Sequence, residues 1–100
     1  MMKQFRLLNS DDGMIVDEVE SKQCKYCTSA FIYQDENGVY HLIDKESGLS
    51  IVKARTLKML EQLYLNKKKE YNQYKKTDAY KIKCERFDKM KLVHNAKGVR

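Results

Sequence analysis

The chain has 100 residues, of which 42% are hydrophobic and 34% are charged, and its formal net charge is +6. This apolar content excludes a compositionally disordered chain, and the length allows one domain with a small core. No apolar run approaches the roughly 18 residues that span a bilayer, and the polar start of the chain does not fit a signal peptide. Three cysteines, an odd number, favour a reducing compartment. The sequence therefore predicts one cytoplasmic domain over residues 1–100.

Two strands and a tight turn are predicted at the beginning of the chain. Lys3–Leu8 and Met14–Val19 are the strand candidates. Residues 9–13 between them read Asn-Ser-Asp-Asp-Gly. Asp tolerates tight turns and Gly supplies a positive φ, so this cluster is typical of a turn. The first prediction is therefore a hairpin that turns near residues 9–13.

The clearest hairpin signal comes next. Thr28–Gln34 and Val39–Asp44 flank the sequence Asp-Glu-Asn-Gly at residues 35–38. Asn-Gly between two apolar runs is the strongest short-range hairpin signal. A further turn at residues 46–48 precedes residues 49–53, which read either as another strand or as the lead-in to a helix. The first half is thus predicted to be an antiparallel meander of three to five strands.

The hydrophobic period then changes to that of a helix, predicted over about residues 54–76. Thr56 is a suitable N-cap. At 100° per residue, six side chains share one arc, which Lys67 interrupts: Leu57, Leu60, Leu63, Tyr64, Tyr71 and Tyr74. About 20 helical residues span about 30 Å, which is more than a small sheet covers. The Tyr71–Tyr74 end is therefore expected to pack on a second helix or on another chain.

A second, shorter helix is predicted over about residues 78–92. Tyr80, Cys84 and Phe87 are out of phase with the first stripe but form their own at i, i+4 and i+7. Thr77 and Asp78 supply a break and a cap. Residues 79–85 also alternate as a strand would, and helix is the favoured interpretation. The predicted fold is α+β, with the meander packed against both helices and a frayed tail over residues 95–100.

The motif Cys24-Lys25-Tyr26-Cys27 supplies two ligands of a possible zinc site. A tetrahedral site needs two more, and no second Cys-x-x-Cys and no closely spaced His pair provides them. A redox pair would need an acidic thiol, usually at a helix N-terminus, whereas this motif precedes a strand. Two ordinary cysteines at a strand entry are the preferred interpretation, and we predict neither a metal nor a cofactor.

No catalytic constellation stands out in the sequence. His41 lies among apolar residues of a predicted strand, and His94 has no nucleophile near it in the sequence. The paired carboxylates at residues 11–12, 17–18 and 35–36 lie in or beside turns, where acidic residues are common. The four glycines are scattered and form no phosphate loop. The sequence therefore predicts a protein that is not an enzyme.

Charge is distributed unevenly along the chain. Residues 1–50 hold 5 Lys/Arg and 9 Asp/Glu, whereas residues 51–100 hold 15 and 5. Helical periodicity places much of the basic charge on an outer face, away from the tyrosines. The candidate contacts to nucleic acid or to an acidic partner are Lys58, Lys68, Lys69, Lys75, Lys76, Lys81, Lys83 and Arg86. A basic face of this kind is typical of phosphate-backbone binding.

Two functional hypotheses follow from these patterns. The first is a small non-enzymatic regulatory protein that binds nucleic acid through the basic helical face. The second is a protein–protein interaction module that docks on an acidic or nucleic-acid-handling protein, with Tyr71 and Tyr74 as interface residues and a homodimer as one assembly. The small, lysine-rich, proline-free composition is typical of phage-encoded or mobile-element-encoded accessory proteins and inhibitors. Neither hypothesis involves a membrane.

Overall fold

A computed structural model of the chain describes the backbone of residues 2–10 and 13–98, and the side chains of residues 3–6 and 18–92. Five strands form one antiparallel sheet in the order in which they occur along the chain. They are β1 (Met2–Ser10), β2 (Gly13–Gln23), β3 (Ala30–Gln34), β4 (Tyr40–Asp44) and β5 (Ser50–Ala54). Two helices follow, α1 (Leu57–Tyr74) and α2 (Asp78–Gly98). The predicted α+β fold, a meander followed by two helices, is confirmed.

The hairpin between β3 and β4 has the predicted turn chemistry. Gly38 has a φ of +82°, and its N–H donates to the Asp35 carbonyl oxygen at 3.0 Å. The Asp35 carboxylate also accepts the N–H groups of Asn37 and Val39 at 2.9 and 3.0 Å. The short polar side chain therefore holds the turn that the Asn-Gly signal predicted. In the first hairpin Ser10 pairs with Gly13, and residues 11 and 12 of its predicted turn lie outside the described residues.

The turn between β4 and β5 settles the open interpretation of residues 49–53. Gly48 has a φ of +71°, and its N–H donates to the Asp44 carbonyl oxygen at 2.8 Å. The N–H of Asp44 donates in turn to the carbonyl oxygen of Leu49 at 2.9 Å. The segment after the turn is strand β5, which pairs with β4 across a register shift between Leu42 and Ile43.

The sheet buries apolar side chains on both of its faces. One face packs against α1, and its core includes Ile32, Leu42, Ala54, Leu60 and Tyr64. On the other face Val19 of β2 packs with Phe31 and Ile43. β2 pairs with β3 only at Lys22 and Gln23. The part of β2 before Lys22 does not pair with β3, and its residue Val19 packs on the sheet face opposite α1.

Helix α1 begins as predicted but buries a narrower stripe. The Thr56 hydroxyl accepts the Met59 N–H at 3.1 Å, which confirms it as the N-cap. The residues that α1 buries are Leu60, Tyr64 and Tyr71. Leu57 and Leu63 belong to the predicted stripe but are 46% and 38% exposed. The helix therefore presents apolar surface beside its buried seam.

Helix α2 confirms the predicted break and the predicted second stripe. The Thr77 hydroxyl donates to the Tyr74 carbonyl oxygen at 2.7 Å and accepts the Tyr80 N–H at 3.3 Å, which closes α1 and caps α2. Tyr80 and Phe87 are buried and Cys84 is half-buried. The backbone is helical to Gly98, so α2 is longer than predicted and includes most of the segment expected to fray. Within the described residues, neither helix has both the length and the apolar character needed to cross a bilayer.

Candidate binding groove

A groove of about 970 Å³ follows strand β5, which is the last strand of the sheet. Its floor is the continuous run from Leu49 to Lys53. In the part of the chain that the structure describes, β5 pairs only with β4, so its other edge carries backbone groups with no strand partner. An open strand edge presents a row of hydrogen-bonding groups to any ligand in the groove.

Basic side chains from four different elements converge on this groove. They are Arg6 of β1, Lys53 of β5, Lys67 of α1 and Lys83 of α2, and among the described side chains the one acidic group that lines it is Glu70. Each basic side chain comes from a segment that is distant in sequence from the others. The fold therefore concentrates positive charge in a concave surface, where the electric field is stronger than on an open face.

Arg6 and His41 lie where the groove meets the sheet face opposite α1. His41 Nε2 lies 2.9 Å from Asp35 Oδ2, and the imidazole stacks on the Tyr33 ring at 5.6 Å. The Arg6 guanidinium lies 5.0 Å from the centre of the same ring. Arg6 Nε and His41 Nδ1 are buried and have no hydrogen-bond partner among the described residues. Buried polar atoms without partners are uncommon, so the packing of Arg6 and His41 here is not fully matched in hydrogen bonds.

Asp35 connects the hairpin turn to this end of the groove. The hydrogen bond with His41, followed by the N–H of Val39, lowers the pKa of the Asp35 carboxyl group. The carboxylate is therefore ionised at neutral pH and orients the imidazole through Nε2. Nδ1, on the other side of the ring, does not take part in that hydrogen bond.

The basic residues predicted from the sequence are placed mostly outside the groove. Lys83 lines it, and Lys75 is half-buried with its ammonium 6.0 Å from the Tyr71 ring centre. The others are exposed on the helices or, for Lys76, in the turn between them: Lys58, Lys68, Lys69, Lys76, Lys81 and Arg86. None of the ion pairs between described residues involves any of the eight. Their charges are thus available to an anionic partner, which stays a prediction.

Tyr71 and Tyr74 pack mainly inside their own chain. Tyr71 is only 8% exposed, and its ring centre lies 6.2 Å from that of Tyr80. Tyr74 is half-buried, with its ring 5.5 Å from Tyr80. The end of α1 therefore packs on α2. The sequence predicted packing either on a second helix or on another chain, and the first of these is observed. Both tyrosines line the groove, and their interface role stays a prediction.

A buried carboxylate ties both helices to the β4–β5 turn. Asp44 is 1% exposed, and its Oδ2 accepts hydrogen bonds from Tyr71, Tyr80 and Ser47 at 2.5, 2.7 and 3.0 Å. Its Oδ1 accepts the Glu46 N–H at 3.0 Å. Four donors thus satisfy a carboxyl group that has no cationic partner among these contacts. A buried carboxylate is tolerated in such a setting because hydrogen bonds replace its hydration.

The tyrosines of this network remain protonated donors. Burial, and then the hydrogen bond to Asp44, raises the pKa of Tyr71 and of Tyr80. Both hydroxyls therefore keep their protons at neutral pH and satisfy the carboxylate. The Asp44 network joins residues that are 27 and 36 positions apart in sequence. Its geometry suits a structural role, because every polar atom of the carboxylate is directed at the chain itself.

The cysteine motif lies in the turn between β2 and β3, away from the groove. Cys24 is buried and Cys27 is half-buried, and both are free thiols, as is Cys84. The described side chains contain no cluster of three or more His, Cys, Asp or Glu residues that would hold a metal ion. The expectation of no metal at Cys24 and Cys27 stays a prediction.

Most of the groove could not be identified from the sequence. Arg6 of β1, His41 of β4 and Lys53 of β5 come together only through the packing of three different strands. Lys67 did leave a signal, since it interrupts an otherwise apolar helical stripe. Comparison with protein-family models, with curated proteins and with solved structures finds no match to this chain. Its function therefore has to follow from the groove, its charges and its open strand edge.

Proposed function

We propose that this chain is a non-enzymatic binding protein whose groove along β5 contacts the phosphate backbone of a nucleic acid. The observation that carries the proposal is the convergence of Arg6, Lys53, Lys67 and Lys83, against one carboxylate, that of Glu70, among the described side chains. Phosphate contacts of this kind release condensed counterions and dominate the affinity of sequence-independent binding. The exposed lysines of both helices add long-range attraction to the same ligand.

The other side chains of the groove fit this ligand. The half-buried Tyr74 presents an aromatic ring on which an unpaired base stacks. Stacking on aromatic rings within a basic groove is the usual mode of single-strand binding. The groove runs beside one strand edge, so it matches an extended chain better than a duplex.

The test is a fluorescence anisotropy titration of labelled single-stranded DNA, single-stranded RNA and duplex DNA over a series of KCl concentrations. We expect affinity that falls steeply with salt and is highest for a single strand. Neutralising the groove with Lys53→Gln, Lys67→Gln and Lys83→Gln together is expected to reduce the log–log salt slope by about two. An equal change of charge outside the groove, Lys58→Gln, Lys69→Gln and Lys76→Gln together, is expected to reduce it less.

The two triple variants separate the groove from the outer helical face. A larger loss in the outer-face variant would place the contact where the sequence predicted it and would remove the groove from the proposal. Absence of binding to all three probes at low salt would end the nucleic-acid proposal itself. Circular dichroism of both variants checks that the fold is retained.

A second candidate function is favoured by the free edge of β5. An acidic, extended segment of another protein could add to this edge as a sixth strand, with its carboxylates on the groove lysines. Leu63 of α1, which is 38% exposed, adds apolar surface to the groove. Strand addition would use both the charge and the open backbone groups of the groove.

This candidate predicts a partner protein that survives nuclease treatment during purification from the native cell. Leu63→Asp, in the groove, is expected to lose that partner, whereas Leu92→Asp, which is more exposed but outside the groove, should retain it. Hydrogen exchange at the β5 amides should slow by about tenfold or more in the complex. Unchanged exchange at residues 50–54 would exclude strand addition.

A further inference from the structure

The turn between β2 and β3 holds two thiols in unequal surroundings. Cys24 is 2% exposed and belongs to the core that includes Ala30, Ile32 and Tyr64. Cys27 is only half-buried, three residues later in the same turn. One thiol is thus accessible to a reagent in solution, and the other lies behind it in the protein interior.

The sulfur of Cys27 is surrounded by hydroxyl groups. The Tyr64 hydroxyl donates to it from 3.3 Å, and the Ser29 hydroxyl lies 3.4 Å away. Burial alone would raise the pKa of Cys27, but the hydrogen bonds with Ser29 and Tyr64 and the charge of Lys75 outweigh it and lower that pKa. Burial raises the pKa of Cys24 and also that of Cys84. Among the three thiols, Cys27 is therefore the one whose surroundings favour the nucleophilic thiolate.

We propose that Cys24 and Cys27 form a thiol–disulfide redox pair, in which Cys27 reacts first with a small-molecule disulfide and Cys24 resolves the product. The spacing of two residues between them is that of dithiol redox motifs. Hydroxyl donors and Lys75 here replace the helix N-terminus that usually stabilises the attacking thiolate. The pair lies outside the groove, and its chemistry does not depend on what the groove binds.

The reaction is a two-electron exchange with a disulfide such as oxidised glutathione. The Cys27 thiolate attacks one sulfur of the reagent, a mixed disulfide forms, and one thiolate leaves and takes up a proton. Cys24 then loses its proton and attacks the Cys27 sulfur, which releases the second thiolate. The chain gains one disulfide, the reagent is reduced to two thiols, and the two protons lost by the cysteines end on those thiols.

Oxidation of Cys27 would change a contact of α1, because Tyr64 of that helix donates a hydrogen bond to the Cys27 sulfur. Burial, followed by the hydrogen bond with Cys27, raises the pKa of the Tyr64 hydroxyl to about 12, so it is a donor at neutral pH. A disulfide sulfur carries no negative charge and accepts this hydrogen bond less well than a thiolate. The redox state of the turn is thereby coupled to the helix that forms one wall of the groove.

The first test is brief alkylation of the reduced, folded, full-length chain with iodoacetamide, followed by peptide mass spectrometry. We expect Cys27 to be modified about tenfold faster than Cys24 or Cys84. Equal modification rates of all three thiols, or modification only after denaturation, would overturn the proposal. This measurement needs no variant, so it remains informative if a substitution disturbs folding.

The second test is equilibration of the chain in buffers of reduced and oxidised glutathione. The unaltered chain should form one intramolecular disulfide, Cys24→Ser should accumulate a mixed disulfide with glutathione on Cys27, and Cys27→Ser should remain reduced. Cys84→Ser is the matched control and should behave like the unaltered chain. A different result would assign the pair to metal binding and overturn the redox role. That result is one zinc ion per chain in protein purified without chelator, with Cys24 and Cys27 unreactive until the zinc is removed.

Discussion

Replacing Asp44 with alanine is expected to destabilise the protein by about 3–5 kcal/mol, because it removes the shared acceptor of three buried hydroxyl groups. Asp44→Ala leaves the hydroxyls of Ser47, Tyr71 and Tyr80 without their shared acceptor. Each buried donor left unsatisfied costs about 1–3 kcal/mol. A domain of this size has only about 5–15 kcal/mol of total stability, so a large part of it depends on one side chain. Urea unfolding followed by circular dichroism measures the loss.

Two further variants test the reason for this loss. Asp44→Asn keeps the shape and one acceptor oxygen but removes the charge, so we expect an intermediate loss. Asp35→Ala removes a carboxylate that also accepts backbone N–H groups in a turn but is 23% exposed at its side chain. We expect Asp35→Ala to cost less than Asp44→Ala, because the hydrogen bonds of Asp35 form in competition with solvent. If Asp44→Ala cost no more than Asp35→Ala, the buried network would not be the source of stability that its geometry indicates.

Gly48→Ala is expected to cost about 2–4 kcal/mol, from backbone strain together with overpacking. Gly48 has a φ of +71°, where an L side chain is strained. A Cβ built at this position would also lie 2.5 Å from Cε1 of the Phe87 ring. Phe87 is 1% exposed and packs with Phe5, Leu49 and Met90, so its ring has little room to move. Thermal and urea unfolding both report the loss.

The other positive-φ glycine provides a matched control. Gly38 has a φ of +82°, but the nearest atom to a Cβ there is Gln34 Nε2 at 3.9 Å. Gly38→Ala should therefore show the strain alone, about 1–2 kcal/mol. In a double-mutant cycle, Gly48→Ala should cost less in the Phe87→Leu background, because the shorter side chain relieves the contact. Equal costs for the two glycines, or no coupling with Phe87, would contradict the proposed close packing.

Local sequence signals were sufficient to predict the strands and helices but not to identify the residues of the groove. Asn37-Gly38 identified its hairpin, Thr56 identified the start of α1, and the stripe of Tyr80, Cys84 and Phe87 identified α2. Each of these signals acts over a few residues, so it survives in the linear sequence. The basic face predicted from helical periodicity contains only one residue of the groove, Lys83. The other basic residues of the groove are Arg6 of β1, Lys53 of β5 and Lys67 of α1. Only the packing of these elements in the folded chain brings them together.

The amino-acid sequence alone was enough to predict an α+β meander followed by two helices, with excess positive charge on the second half of the chain. Periodicity and turn chemistry are local properties, and they do not depend on which elements meet. The burial of Asp44 could be recognised only in the folded structure. Asp44 ends a strand, as many surface carboxylates do, yet it lies among hydroxyl groups from both helices. The tertiary structure likewise decided that Tyr71 lies inside the chain and that Lys53, Lys67 and Lys83 share one groove. These outcomes depend on contacts between residues far apart in sequence, which the packing of the whole chain sets.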